Sequence, residues 1–112
     1  DASGNYVGTY DSDGATPQTG VQRVKPFVEW LKKNGKVGFV GEYGIPDNDA
    51  GWNEVLENML QYLSEEGVTG TYWSAGPRWG DYKLSVQPRN NYTEDRPQMS
   101  VLEKFKRTNP KK

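Results

Sequence analysis

Apolar residues recur along this chain at helical spacing in two places. Trp52, Val55, Leu56, Met59, Leu60 and Leu63 follow one another at steps of three and four. Such steps gather side chains on one face of a helix that turns every 3.6 residues, and they leave Glu54 and Glu57 toward water. Gly67 is the expected stop. Val21, Val24, Phe27, Val28 and Leu31 form a second stripe, closed by Asn34-Gly35. Pro26 lies inside this stripe, lacks an N–H and crowds the preceding turn. The helix is therefore expected to begin shortly before Pro26 or to kink there.

Between the stripes, Val37 to Gly44 is short and apolar without clear alternation. That pattern predicts a parallel strand buried on both faces. Val68 to Ser74 reads as a second strand, and Pro46-Asp47-Asn48-Asp49 as a turn. Asp1 to Gly20, rich in Gly, Asp, Ser and Thr, reads as loop. Ala75 to Pro97 is too long for a simple connection and carries Trp79, Tyr82 and Tyr92, which suggests a functional loop. Met99, Val101, Leu102 and Phe105 predict a short last helix before a basic tail, Asn109 to Lys112. Strands alternating with helices imply an α/β fold with parallel pairing. Two such strands cannot close a sheet, and their helices carry apolar faces that need further cover. Something outside these 112 residues is expected to complete the sheet. A closed (β/α)8 barrel takes roughly 250 residues.

Composition narrows the chemistry. An aromatic content of 12% is too high for a typical disordered chain, so the 4 Trp and 7 Tyr fill a core or form stacking surfaces. With 14 basic and 15 acidic residues the formal net charge is -1, which offers no broad field for nucleic acid. The chain has no Cys and no His. Disulfides, thiolate metal sites and histidine-based catalysis are therefore excluded within it. No apolar run approaches the roughly 20 residues of a membrane span, and no signal peptide is evident. A first residue of Asp1 rather than Met suggests a processed, cleaved or engineered terminus.

Two residues stand where chemistry would be expected. Glu42 lies at the end of the first strand, between Gly41 and Gly44. In parallel α/β barrels reactive groups project from strand carboxyl ends, where loops converge on one pocket. A Glu tied to nearby amides in a turn is the plainer reading, and position alone leaves both open. Trp73 occupies the matching place on the second strand, in Thr71-Tyr72-Trp73-Ser74-Ala75-Gly76. An indole there offers a flat floor for a sugar ring, although a lone Trp is more often a core residue under a loop. A carboxylate and an indole at the ends of adjacent parallel strands would share one concave site.

The order of these motifs resembles the cellulase branch of the family-5 glycoside hydrolases. Gly41-Glu42-Tyr43-Gly44 with Ile45-Pro46 is similar to the family's seventh strand, whose nucleophile sits in such a context. Thr71 to Tyr82, continued by Ser85-Val86-Gln87-Pro88, resembles its eighth strand and following loop. Asp1-Ala2-Ser3-Gly4 is similar to the segment after its sixth strand, and Trp30 to Gly35 also fits. The resemblance spans nearly the whole chain. It implies the C-terminal portion of a (β/α)8 TIM barrel, with residues 1–112 forming one segment of a single catalytic domain. It implies Glu42 as nucleophile, Trp73 as stacking platform for the attacked sugar, and Trp79 beside a neighbouring subsite. It implies no metal or organic cofactor, a β-1,4-glucan substrate and an extracellular setting.

The departures are as informative. The family's Asn-Glu-Pro acid/base motif, barrel Arg, site histidines and His-x-Tyr motif are absent, and all of them precede the matching segment. Retaining hydrolysis needs two carboxyl groups roughly 5–5.5 Å apart. Asp47, Asp49 and Asp81 are the local alternatives, and each reads more simply as a solvated loop residue. The expectation is an enzyme portion that is inactive alone, with an N-terminal barrel portion supplying the acid/base. A non-catalytic carbohydrate-binding module is the rival, and it predicts a mostly β domain. An engineered barrel fragment that self-associates is the third. Asp11-Ser12-Asp13-Gly14 hints at a calcium loop without its full ligand pattern, so a solvated turn is expected there. Asn91-Tyr92-Thr93 is a glycosylation sequon, meaningful only in a eukaryotic secreted setting.

Overall fold

A computed structural model of the chain describes residues 8–106. The Asp1-Ala2-Ser3-Gly4 segment and the basic tail lie outside those residues. Helix α1 spans Thr19–Asn34, strand β1 Phe39–Tyr43, helix α2 Ala50–Glu65, strand β2 Thr69–Tyr72, and helix α3 Met99–Leu102. A 3-10 turn, Glu103–Phe105, continues α3. The observed order matches the predicted alternation of helices and strands. The strands pair in parallel, as expected for an α/β unit. The mostly β domain of the binding-module reading is not what this chain forms.

The α2 stripe is the core. Trp52, Val55, Leu56, Met59, Leu60 and Leu63 are all buried, together with Val28, Leu31, Ile45, Val68 and Val101. Glu54 is exposed, whereas Glu57 is half-buried and pairs with Lys104 at 2.7 Å. Asp49 caps α2: its carboxylate accepts from the Gly51 amide at 2.7 Å, which satisfies one of the orphan donors of the first turn. The α1 stop is Gly35, at φ 60. Its amide donates to Lys32 and the Lys36 amide reaches back to the Leu31 carbonyl. A residue without a Cβ takes this left-handed turn at least cost. Helices α1 and α2 meet closely at Gly20, where an added Cβ would stand 2.9 Å from Met59 Cβ.

Two readings need revision. Of the two alternatives at Pro26, a helix that begins shortly before it is not found: α1 starts at Thr19 and continues past Pro26 to Asn34. Both Gln22 and Pro26 are exposed, so water can serve the carbonyl that the missing N–H leaves behind. The first strand is not buried on both faces. Val37 is 97% exposed and Phe39 55%, while Gly41 and Glu42 are also exposed. One face of the sheet lies on the helices through Val40, Tyr43 and Tyr72. The other is open among the described residues.

The register is irregular. Phe39 pairs with Thr69 and Val40 with Gly70, but Tyr43 pairs with Tyr72. Three steps along β1 therefore match two along β2, which is a β-bulge at Gly41-Glu42.

Candidate active site

The bulge decides where Glu42 lies. In a regular strand, residues two apart share a face, so Glu42 would follow Val40 onto the helices. The extra residue resets the alternation. Gly41 and Glu42 are exposed in succession, and Tyr43 returns to the covered face against Tyr72, with ring centroids 5.9 Å apart. The Thr71 hydroxyl donates to the Gly41 carbonyl within the bulge. Among the described residues Glu42 has no hydrogen-bond or ion-pair partner. The plainer reading, a carboxylate tied down by neighbouring amides, is not what is found.

Trp73 follows β2 directly. Its amide donates to the Tyr43 carbonyl at 2.7 Å, so the carboxyl ends of the two strands lie side by side. Trp73 is 38% exposed. Trp79, on the 3-10 turn Pro77–Trp79, meets it edge to face with centroids 5.2 Å apart. Tyr82 in turn stacks on Trp79 at 5.0 Å. The three sequence-predicted residues thus sit on two adjacent strand ends and the loop that follows.

A buried polar network joins the loops after β1 and β2. Asp47 accepts from Arg96 Nη2 at 2.8 Å and from Arg89 Nη2 at 3.0 Å. Arg96 also donates to the Tyr82 carbonyl at 3.1 Å. Gln98 donates to the Ile45 and Lys83 carbonyls. The Tyr72 hydroxyl lies between the Leu84 carbonyl at 2.7 Å and that of Ile45 at 3.0 Å. Burial pushes its phenol up to about 12 from 10.0, against the opposing pull of the Ile45 backbone hydrogen bond. Burial also raises Tyr43.

Matches to known proteins fall on this same arrangement. The sequence model of the family "Cellulase (glycosyl hydrolase family 5)" matches residues 3–78. The chain belongs to glycosyl hydrolase family 5. It is 40% identical over 88 residues to a probable endo-beta-1,4-glucanase B of Aspergillus kawachii, with 70% of this chain and 26% of that protein covered. It superposes on Pseudomonas stutzeri endoglucanase Cel5A, solved in complex with cellobiose, with a TM-score of 0.76 and 48% identity. That match covers 80% of this chain and 27% of the Cel5A chain. The endo-beta-1,4-glucanase Xac0029 of Xanthomonas axonopodis pv. citri matches with a TM-score of 0.76 and 34% identity, covering 90% of this chain and 34% of that one. The chain thus spans about a quarter to a third of the length of these relatives. Its fold is a portion of the family's TIM barrel.

Within this family-5 chain two of the three alternative carboxylates have other duties. Asp47 is not a solvated loop residue, as sequence alone suggested. Its side chain is 6% exposed and neutralised by two guanidinium groups. Asp49 is occupied in capping α2. Asp81 is exposed. Thr9 and Ser12 exchange amide–hydroxyl bonds around the Asp11–Gly14 turn. Among the described residues no group of three or more acidic, Cys or His side chains could hold a metal. Sequence reasoning missed the bulge and the Asp47–Arg96 pair. The first is a register property, and the second joins residues 49 positions apart.

Proposed function

We propose that this chain is the C-terminal segment of a single catalytic domain, that of a retaining endo-β-1,4-glucanase. It supplies the last two barrel strands, the nucleophile Glu42, and the indoles of Trp73 and Trp79 as sugar-stacking surfaces. Earlier strands supply the acid/base, and the substrate sets the enzyme outside the cell. No cofactor enters the scheme. In the first step the acid protonates the leaving glycosidic oxygen while Glu42 attacks the anomeric carbon. Water then releases the glycosyl ester with the first carboxyl group acting as base, so configuration is retained. The isolated chain, with one of the two carboxyl groups, is inactive.

The observation that carries this reading is the bulge, which leaves Glu42 without a partner among the described residues, on the open face at the strand end next to Trp73. Support for the missing portion comes from the surfaces it would cover. Phe27, Trp30 and Phe39 are exposed. A cleft of about 720 Å³ lies beside β2, walled by Leu60, Leu63, Leu102 and Phe105. These are the faces that neighbouring barrel units would bury.

The test is covalent trapping. The chain completed by its earlier strands is treated with an activated 2-fluoro-cellobioside and digested. A glycosylated peptide carrying Glu42 is expected, and Glu42→Gln should lower turnover at least about a thousandfold. Label on another residue, or an active Glu42→Gln enzyme, would overturn the assignment.

A further inference from the structure

A bulge that aims a reacting group must itself be held. An extra residue takes backbone groups out of the ladder and bends the strand, so its geometry depends on whatever satisfies those groups. Here the carbonyl directly before Glu42 has a side-chain donor. The Gly41 carbonyl receives the side-chain hydroxyl of Thr71, across the sheet. Beside Gly41, its chain neighbours aside, no atom of the described residues stands within 4 Å of where a Cβ would be, so none of their side chains packs against the bulge at that position. Downstream, the ladder resumes with the Trp73 amide on the Tyr43 carbonyl at 2.7 Å. The Gly41-Glu42 step is thus pinned on one side by a hydroxyl and on the other by a backbone bond.

We propose that Thr71 is a positioning residue for Glu42: its hydroxyl, by binding the Gly41 carbonyl, fixes the bulge that turns the carboxylate to the open face. The proposal rests on Glu42 being the nucleophile. Thr71 and Glu42 are both exposed on that face, but Thr71 acts through the backbone and needs no contact with substrate. Valine keeps the shape of threonine and lacks its donor. Serine keeps the donor and lacks the methyl group. The pair separates the hydroxyl from the packing.

The experiment uses the complete barrel enzyme with Thr71→Val and Thr71→Ser, an activated cellobioside as substrate, and thermal unfolding alongside. A nucleophile displaced by about 1 Å loses on the order of a hundredfold in the chemical step. Thr71→Val is expected to lower the glycosylation rate by about 10- to 100-fold with KM changed by less than about twofold. Thr71→Ser should restore it to within about threefold of the parent. A crystal structure of Thr71→Val should show the Gly41-Glu42 register altered, a readout that does not depend on turnover. Parent-like turnover together with an unchanged bulge in Thr71→Val would overturn the proposal. So would a Thr71→Ser enzyme as impaired as Thr71→Val, since packing rather than the hydroxyl would then matter. Failure of the nucleophile assignment registers separately, as fluorosugar label away from Glu42. If Thr71→Val does not fold, Thr71→Ala against Thr71→Ser makes the same comparison, with the same results supporting or overturning it.

Discussion

Gly44 passes so close to Trp73 that a Cβ added to the glycine would collide with the tryptophan's carbonyl oxygen. Leu84 Cδ2 would stand 3.2 Å from the same atom. A carbonyl in a hydrogen-bonded strand end cannot swing aside as a flexible side chain can. Gly44→Ala is therefore expected to prise the two strand ends apart and cost about 1–3 kcal/mol or more. Gly35→Ala provides the contrast. Among the described residues nothing lies within 4 Å of that position, so its φ of 60 is the obstacle and about 1 kcal/mol is lost. Urea unfolding of the complete enzyme measures both. Catalysis should suffer in the first variant and not in the second, and equal midpoints for parent and Gly44→Ala would refute the argument.

Asp47→Asn is expected to destabilise by about 3–5 kcal/mol, since it leaves the Arg96 guanidinium buried without a counter-charge. Arg96 is 1% exposed, so water cannot replace the carboxylate. Arg89 is 37% exposed, and Arg89→Ala should cost about 1 kcal/mol or less. Because Arg96 also holds the Tyr82 carbonyl, the aromatic loop should loosen with it. Replacing Asp47 and Arg96 together should cost less than the two single losses added, which a double-mutant cycle reads directly.

Trp73→Ala should raise KM for cello-oligosaccharides about tenfold or more, equivalent to about 1.4 kcal/mol of lost binding. Trp73→Phe should recover part of it, because a smaller ring still presents a face. Trp79→Ala is expected to have a lesser effect, since one face of that indole is taken up by Tyr82. Steady-state kinetics on the complete enzyme decide the matter. Unchanged KM in Trp73→Ala would remove the stacking role.

What could be read from the sequence is what depends on near neighbours in the chain. The α2 stripe from Trp52 to Leu63 proved entirely buried, because a helical face is set by spacing alone. Gly35 ended α1 for a local conformational reason. The strands fell within the apolar runs that predicted them. The open face of β1 was not legible, because an apolar run marks a strand without saying which neighbours cover it. Strict alternation would have placed Glu42 on the helix side. The bulge that reverses this depends on how β1 registers with β2, which strand composition does not encode. Asp47 looked like a turn residue because its partner Arg96 is remote in sequence. Tyr92, at φ 66, closes a left-handed run begun by Asn90 and Asn91; the asparagines favour that conformation locally, whereas the tyrosine carries no such sign.

Tyr72 gives the stability of this unit a limit at high pH. Burial holds the folded phenol at about 12, whereas the unfolded chain returns it to about 10.0. The folded state thus favours the neutral hydroxyl, whose single proton is shared between the Leu84 and Ile45 carbonyls while its oxygen accepts from the Ile45 amide at 3.3 Å. That contribution is complete below about pH 10, and it is lost progressively as pH rises to about 12, because the unfolded chain gives up the proton first. Tyr72→Phe leaves the Leu84 carbonyl without this donor and the Ile45 amide without this acceptor, while Gln98 still serves the Ile45 carbonyl, at a cost of about 1–3 kcal/mol near neutral pH. The gap in unfolding free energy between parent and Tyr72→Phe should therefore narrow between about pH 10 and 12. Taking the difference between the two proteins cancels Tyr43, which is raised in the same direction in each. Urea titrations across that range measure the gap, and a constant value would mean that the phenol of Tyr72 is not what sets the alkaline limb.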